Sequence, residues 1–176
     1  MWFSRLTQLA VAIGLSGTLL AGCAGYRMAG ADDAPSAAGV RVAVPAFVND
    51  TLEPLLSERV TSIVRSRLLS GGVKVTAGEG ARMKGRVVNF SDEILSFDTA
   101  GHASHRRVVV TVEVSMEGDA AAVTPVWDGR TMVGTAEYRV TGNATGNRDA
   151  KDRAVEEAAF ALAESLLLEL AYTAAE

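Results

Sequence analysis

Cysteine and aromatic residues are scarce in this chain. Cys23 is the only cysteine among 176 residues, so the folded protein cannot contain an intramolecular disulfide bond. Aromatic residues make up only 6% of the sequence. The fold must therefore depend on a core of Val, Leu and Ala with a few aromatic anchors, for which we expect Phe47, Phe90, Trp127, Tyr138 and Phe160.

Motifs of catalysis and metal binding are also lacking. His102 and His105 form an H-x-x-H pattern with Asp98 as the nearest carboxylate, but metal sites usually need three or four ligands. The sequence contains no Gly-x-Ser-x-Gly motif and no phosphate-binding glycine loop. We therefore interpret the histidines as part of a solvated loop, and we expect no enzymatic activity, no metal and no cofactor.

Charge of one sign is not in large excess. The chain has 17 basic and 21 acidic residues, for a net charge of −4. Such a balance provides no bulk attraction to nucleic acid, so nucleic acid is not an expected partner.

The amino-terminal segment has the pattern of a secretory signal. Residues 1–20 contain one positive charge, Arg5, followed by an apolar stretch. This stretch ends in Leu20-Ala21-Gly22-Cys23, which resembles a bacterial lipobox. The resemblance implies cleavage before Cys23 and acylation of its thiol and amine, for example by palmitate. The alternatives are an ordinary secretory signal or a transmembrane anchor, for which the apolar stretch is short and interrupted by glycine and serine.

Stable membrane anchorage follows from acylation. One acyl chain binds a membrane only marginally, whereas two or more hold a protein stably. Residue two after cleavage would be Ala24 rather than aspartate, which in well-studied lipoproteins is the signal for inner-membrane retention. We therefore expect a location in the outer membrane, on its periplasmic side.

The rest of the chain predicts a strand, a helix, three strands and a final helix. Asp50 and Glu53 have capping-box spacing at the first helix, and Gly71-Gly72 favours a left-handed stop at its end. The clearest strand alternates Val108, Val110, Val112, Val114 and Met116 on one face. The last helix shows an apolar stripe formed by Val155, Ala159, Leu162, Leu166 and Leu170.

Two amphipathic helices can bury their apolar stripes against one shared sheet face. We therefore predict an α+β fold, a two-layer α/β sandwich in which two helices pack on one face of a four-stranded, mostly antiparallel sheet. The valine-rich strand should be central, and it should form an antiparallel hairpin with the strand that follows Trp127. The predicted organisation is a signal peptide at 1–22, an acylated terminus and tether at 23–39, and one domain at 40–173.

Two groups of basic residues form a candidate binding site. Lys84 and Arg86 share one face of a predicted strand, while Arg106 and Arg107 open the valine-rich strand and point to opposite faces. Pairing of these strands could gather several cations on the exposed side of the sheet, where guanidinium groups bind phosphate well. The alternative interpretation is an ordinary solvated sheet face.

Several segments resemble one known family. Cys23-Ala24-Gly25-Tyr26-Arg27-Met28-Ala29-Gly30 resembles the C-G-Y opening of the LptE family of lipopolysaccharide (LPS)-assembly lipoproteins, with Ala24 as an extra residue. The segment at 39–54, containing Val42-Ala43-Val44-Pro45, is similar to that family's V-A-V-P-x-F-x-N-x-T-x-E-P pattern. Leu95-Ser96-Phe97-Asp98 and the terminal helix follow in the expected order, but the segment at 118–124 lacks the family's usual turn.

The resemblance implies a function in LPS transport. The lipidated domain would plug and support the barrel of an LptD-like outer-membrane protein and assist insertion of LPS into the outer leaflet. In that role Lys84, Arg86, Arg106 and Arg107 could contact LPS phosphates. The alternative is a lipoprotein activator of a peptidoglycan synthase, since such activators share the V-A-V-P pattern but tend to carry longer tethers.

Overall fold

The computed structural model describes residues 36–118 and 127–174. The predicted signal peptide, Cys23 and the tether as far as Pro35 lie outside the described residues, as does most of the segment at 118–124. Two helices are present in these ranges, α1 (Leu56–Ser70) and α2 (Ala144–Ala174). Neither is apolar over a long enough stretch to cross a membrane. The strands are β1 (Arg41–Ala43), β2 (Val48–Asn49), β3 (Lys74–Thr76), β4 (Ala81–Phe97), β5 (Ala103–Glu117) and β6 (Trp127–Arg139).

The six strands form one mixed sheet in the order β3-β1-β4-β5-β6, with β2 paired to β4. The pairs β1–β3, β1–β4 and β2–β4 are parallel, whereas β4–β5 and β5–β6 are antiparallel. The prediction of a four-stranded, mostly antiparallel sheet was therefore wrong, although the α+β class and the two helices are confirmed. Strand β2 has only two residues and shows no periodic pattern, and the alternation Val73-Lys74-Val75 at β3 is too short to have been counted as a full strand.

Strand β5 lies between two long neighbours, as predicted. Its apolar face is fully buried, with 0% exposure of Val108, Val110, Val112, Val114 and Met116. The antiparallel pairing of β5 with β6 confirms the expected hairpin. Strand β4 continues to Phe97, because its polar second half pairs with β5 even though it lacks an apolar alternation.

Helix α1 begins six residues later than its predicted cap. Asn49 Oδ1 accepts hydrogen bonds from the backbone N–H and the hydroxyl of Thr51, which holds the chain in a turn. Glu53 does not close a capping box, because its carboxylate binds Lys151 Nζ on α2 at 3.0 Å. The helix then starts after Leu55, whose φ of +58° is in the left-handed region. Its end agrees with the prediction, since Gly72 has a φ of +84°.

The two helices share a core with the buried face of β5. All five residues of the predicted apolar stripe on α2 are buried. Gly134 on β6 permits a close approach, because a Cβ at this position would overlap the Ala158 carbonyl oxygen of α2. Ion pairs join the helices along their length, between Arg59 and Asp152 at 2.8 Å and between Arg67 and Glu164 at 2.9 Å.

The last residues of the predicted tether pack against the domain. Ala37 is buried in the core, and the Gly39 N–H donates to the Gly72 carbonyl at 3.2 Å. The Lys74 N–H donates to the Val40 carbonyl at 2.8 Å, which continues the pairing of β1 with β3. The chain therefore enters the domain at the end where α1 stops and β3 begins.

Candidate functional site

The sheet has an open face, which we define as the side of β4, β5 and β6 opposite the helices. Alternation along β5 assigns Arg107, Val109, Thr111, Glu113 and Ser115 to this face, since their even-numbered neighbours are buried. The cross-strand partners on β6 include Thr131, Val133, Thr135 and Glu137. The centre of the open face is thus uncharged and β-branched, and charged residues lie toward both ends.

Lys84 and Arg86 share the open face of β4, as their spacing predicted. They lie opposite Ser115 and Glu113 of β5. Lys84 forms an ion pair with Glu117, and Arg86 Nη1 lies 3.1 Å from Asp50 Oδ2. Both basic side chains are more than half exposed, at 53% and 58%. Solvent-exposed pairs of this kind contribute only about 0–1 kcal/mol, so a stronger anion can displace the carboxylate.

Arg107 lies on the same face but near the other end of the sheet. Its Nη2 lies 2.7 Å from Glu137 Oε1 across the strand pair. Because Arg86 is opposite Glu113 and strands rise roughly 3.3 Å per residue, about 20 Å separates the two positions along β5. The structure therefore places the predicted open-face cations in two separate groups.

Arg106 faces the helices rather than the open face. Its Nε donates to Asp92 Oδ1 at 2.8 Å, and its Nη2 donates to the Asp92 carbonyl at 2.8 Å. The Tyr138 hydroxyl donates to Asp92 Oδ2 at 3.0 Å. The hydrogen bond that Arg106 donates to Asp92 raises the pKa of the Arg106 guanidinium. Burial, together with the hydrogen bond to Asp92, raises the pKa of Tyr138 to about 12.

The titration of Tyr138 tests this network directly. Its pKa is raised from 10.0 to about 12, so the stability that the neutral phenol contributes is complete below pH 10 and is lost as the pH rises through 12. We expect one phenolate absorbance step near pH 12 in the wild-type protein that is missing in Tyr138→Phe. If the curves of the two proteins differed only in the amplitude of the step near pH 10, Tyr138 would titrate like an ordinary tyrosine. That result would contradict the network.

His102 lies in the turn between β4 and β5, but His105 lies within β5, paired with Ser96 and Arg139, so the interpretation as a solvated loop was wrong for His105. His102 Nδ1 is 3.7 Å from Asp98 Oδ2, and His105 Nδ1 is 3.1 Å from Ser96 Oγ. Asp98 Oδ1 accepts the backbone N–H groups of Ala100 and His102, so this carboxylate stabilises the turn. Across residues 36–118 and 127–174, no three His, Cys, Asp or Glu side chains are grouped so that they could hold a metal ion.

Sequence reasoning missed a groove between the helices. Ile63 of α1 and Phe160 of α2 line it, together with charged residues such as Arg59 and Glu156, and its volume is about 780 Å³. Phe160, expected as a core anchor, is instead 51% exposed, with Arg67 stacked 5.9 Å from its ring centroid. Periodicity alone does not distinguish an apolar helix residue that faces a groove beside a second helix, such as Phe160, from one that is buried in the core.

The comparison with known families decides the identity. A family model described as "LptE: Lipopolysaccharide-assembly" matches residues 40–170. The chain belongs to the LptE family. Members of the LptE family are outer-membrane lipoproteins that act in LPS assembly, and their role is assembly rather than catalysis. The matched range includes the Val-Ala-Val-Pro segment on which the sequence resemblance was based.

Solved structures share the fold of this LptE-family chain. The rare lipoprotein B of Shewanella oneidensis is 15% identical with a TM-score of 0.54, covering 77% of this chain and 96% of that protein. A minor lipoprotein from Acinetobacter baumannii is 10% identical with a TM-score of 0.50, covering 76% and 92%. A hypothetical protein from Chlamydia trachomatis is 8% identical with a TM-score of 0.53, covering 78% and 99%. No curated protein matches the sequence significantly.

Proposed function

We propose that the domain occupies the lumen of an LptD-like outer-membrane β-barrel, supports that barrel and assists the insertion of LPS into the outer leaflet. The membership in the LptE family carries this proposal. The open face supports it, because barrel interiors are polar and the exposed side chains of β5 and β6 are largely hydroxyl-bearing or ion-paired. Recovery of a large barrel with the full chain after mild detergent extraction tests the proposal.

Lipidation of Cys23 is a second part of the proposal. Acyl chains on Cys23 would hold the protein on the periplasmic side of the outer membrane. The tether at 24–35 spans at most about 40 Å when fully extended, which keeps the domain beside the membrane. The mass of the amino-terminal peptide from the membrane-extracted protein tests this, since an unmodified Cys23 would contradict acylation.

The exposed basic residues are candidates for contact with LPS phosphates. Lys84, Arg86 and Arg107 each have an exposed carboxylate partner that a doubly charged phosphate can displace. Arg106 remains a weaker candidate, because its guanidinium already holds Asp92 by two hydrogen bonds. Since the cations form two groups, two phosphates of one glycolipid could be bound at separate positions.

Charge-neutralising variants separate this role from ordinary sheet surface. We expect the double variant Lys84→Gln/Arg86→Gln to weaken LPS binding in vitro by at least about tenfold, since the loss of even one charge-assisted hydrogen bond, worth roughly 1.5–3 kcal/mol, has that effect. Arg107→Gln should have a smaller effect. Arg153→Gln, which removes an exposed cation beside the helix groove, is the matched control. Equal affinity in all of these variants would show that the cations are solvated surface only.

A further inference from the structure

Strand β4 has an incompletely paired edge. It is bonded to β5 along its length, but on its other side β1 reaches only Ala81 and Arg82, and β2 reaches only Arg86 and Val87. Within the part of the chain that the structure describes, no strand pairs with this side of β4 at residues 89–97. Half of one of the longest strands is therefore open to a new neighbour.

The backbone groups of this edge have a defined direction. The Ser104 carbonyl accepts the Val140 N–H, so the even-numbered residues of β5 bond toward β6. The β4 residues opposite these even-numbered positions are Phe90, Asp92 and Ile94. Because their β5 partners bond toward β6, the backbone N–H and C=O groups of these three residues point away from β5. Val87 lies before the bulge at residue 88 and is also opposite an even-numbered β5 residue, Val112. Its carbonyl accepts the Asp50 N–H, so it too points away from β5. Of these groups, only the Asp92 carbonyl is bonded within the described residues, to Arg106.

Two charged residues lie on this edge. Charged side chains commonly guard edges against self-pairing, and here Glu93 is exposed while Asp92 is held by Arg106 and by the Tyr138 hydroxyl. Beyond it, Ile94, Leu95 and Phe97 are exposed at 45%, 39% and 64%.

We infer that residues 89–94 of β4 are a docking edge for an extended segment of the barrel partner, which adds to the sheet as a further strand. This inference rests on the proposed function. In a closely packed lumen little water remains to bond these N–H and C=O groups, and only an extended chain matches their alternating spacing. The exposed apolar side chains beside the edge would then pack against the added strand.

A second copy of this chain fits the same edge poorly. The bulges after Val87 and Ile94 limit the regular stretch to residues 89–94. Antiparallel self-pairing centred on this stretch would set Asp92 of one copy opposite Asp92 of the other. Like charges directly opposite one another destabilise a strand pair, whereas a different chain can place a neutral residue there.

Proline substitution tests the docking edge. Ile94→Pro removes one outward N–H and no bond to β5, so the domain should fold while recovery of the barrel in detergent falls about fivefold or more. Ile94→Thr keeps the N–H and should recover the barrel like the wild-type protein.

Hydrogen exchange provides a second readout that does not depend on a variant. The amides of Phe90, Asp92 and Ile94 should exchange at least about tenfold more slowly in the barrel complex than in the isolated lipoprotein. Equal exchange in both states, equal recovery with Ile94→Pro and Ile94→Thr, or protection already present in the isolated protein would each overturn the inference. Failure of the wild-type chain to recover any barrel would instead count against the proposed function.

Discussion

Replacing Gly134 with alanine is expected to destabilise the domain by about 3 kcal/mol or more, a large part of the stability of an ordinary domain. The added Cβ would overlap the Ala158 carbonyl oxygen and lie 2.9 Å from the Leu162 Cβ. Neither neighbour can rotate away, because a helix backbone and a Cβ move only with the whole of α2. Urea unfolding measures the loss of stability, and the melting temperature should fall by about 10 °C.

Gly142→Ala is the matched control for this prediction. A Cβ at Gly142 meets nothing within 4 Å, and the same chemical change should alter stability by less than about 0.5 kcal/mol. If Gly134→Ala were as stable as Gly142→Ala, the close packing of α2 on β6 would be wrong.

Truncation of Leu166 should have the second-largest effect. Leu166 is fully buried on α2, so Leu166→Ala removes core contacts and leaves a cavity that costs about 2–5 kcal/mol. Leu168 is two residues further along the same helix and is 57% exposed. Leu168→Ala should therefore change the free energy of unfolding by less than about 0.5 kcal/mol.

The comparison between Leu166 and Leu168 tests which side of α2 faces the sheet. Both variants make the same chemical change in the same helix, so helix propensity cancels between them. Equal losses of stability would mean that the helix is rotated from the orientation described here. Thermal unfolding followed by circular dichroism is sufficient to separate the two outcomes.

Long periodic elements of this fold were predictable because each has one face in water. The five valine and methionine positions of β5 and the stripe on α2 are all buried as their spacing predicted. Strand β2 was not predictable in this way, because two residues carry no period, and the short alternation Val73-Lys74-Val75 at β3 was not enough to count it as a full strand. The start of α1 was missed for a different reason, since Glu53 binds Lys151 of α2 and no local pattern reveals a partner so distant in sequence.

The candidate site was partly predictable. Strand alternation correctly placed Lys84 and Arg86 on one face and separated Arg106 from Arg107. The sequence did not reveal that Asp92 binds Arg106 and Tyr138, because these contacts depend on the register of three strands. The unpaired edge of β4 was also hidden, since it depends on how short β1 and β2 are.

The central claim is that this LptE-family domain works inside an outer-membrane barrel. Its most direct test is mild detergent extraction of the tagged full chain from its own membranes, followed by identification of the proteins that remain bound. We expect one large β-barrel protein of the LptD type in near-equal amount with the chain. Repeated recovery of the intact lipoprotein without a barrel, or with a penicillin-binding protein in its place, would contradict the account.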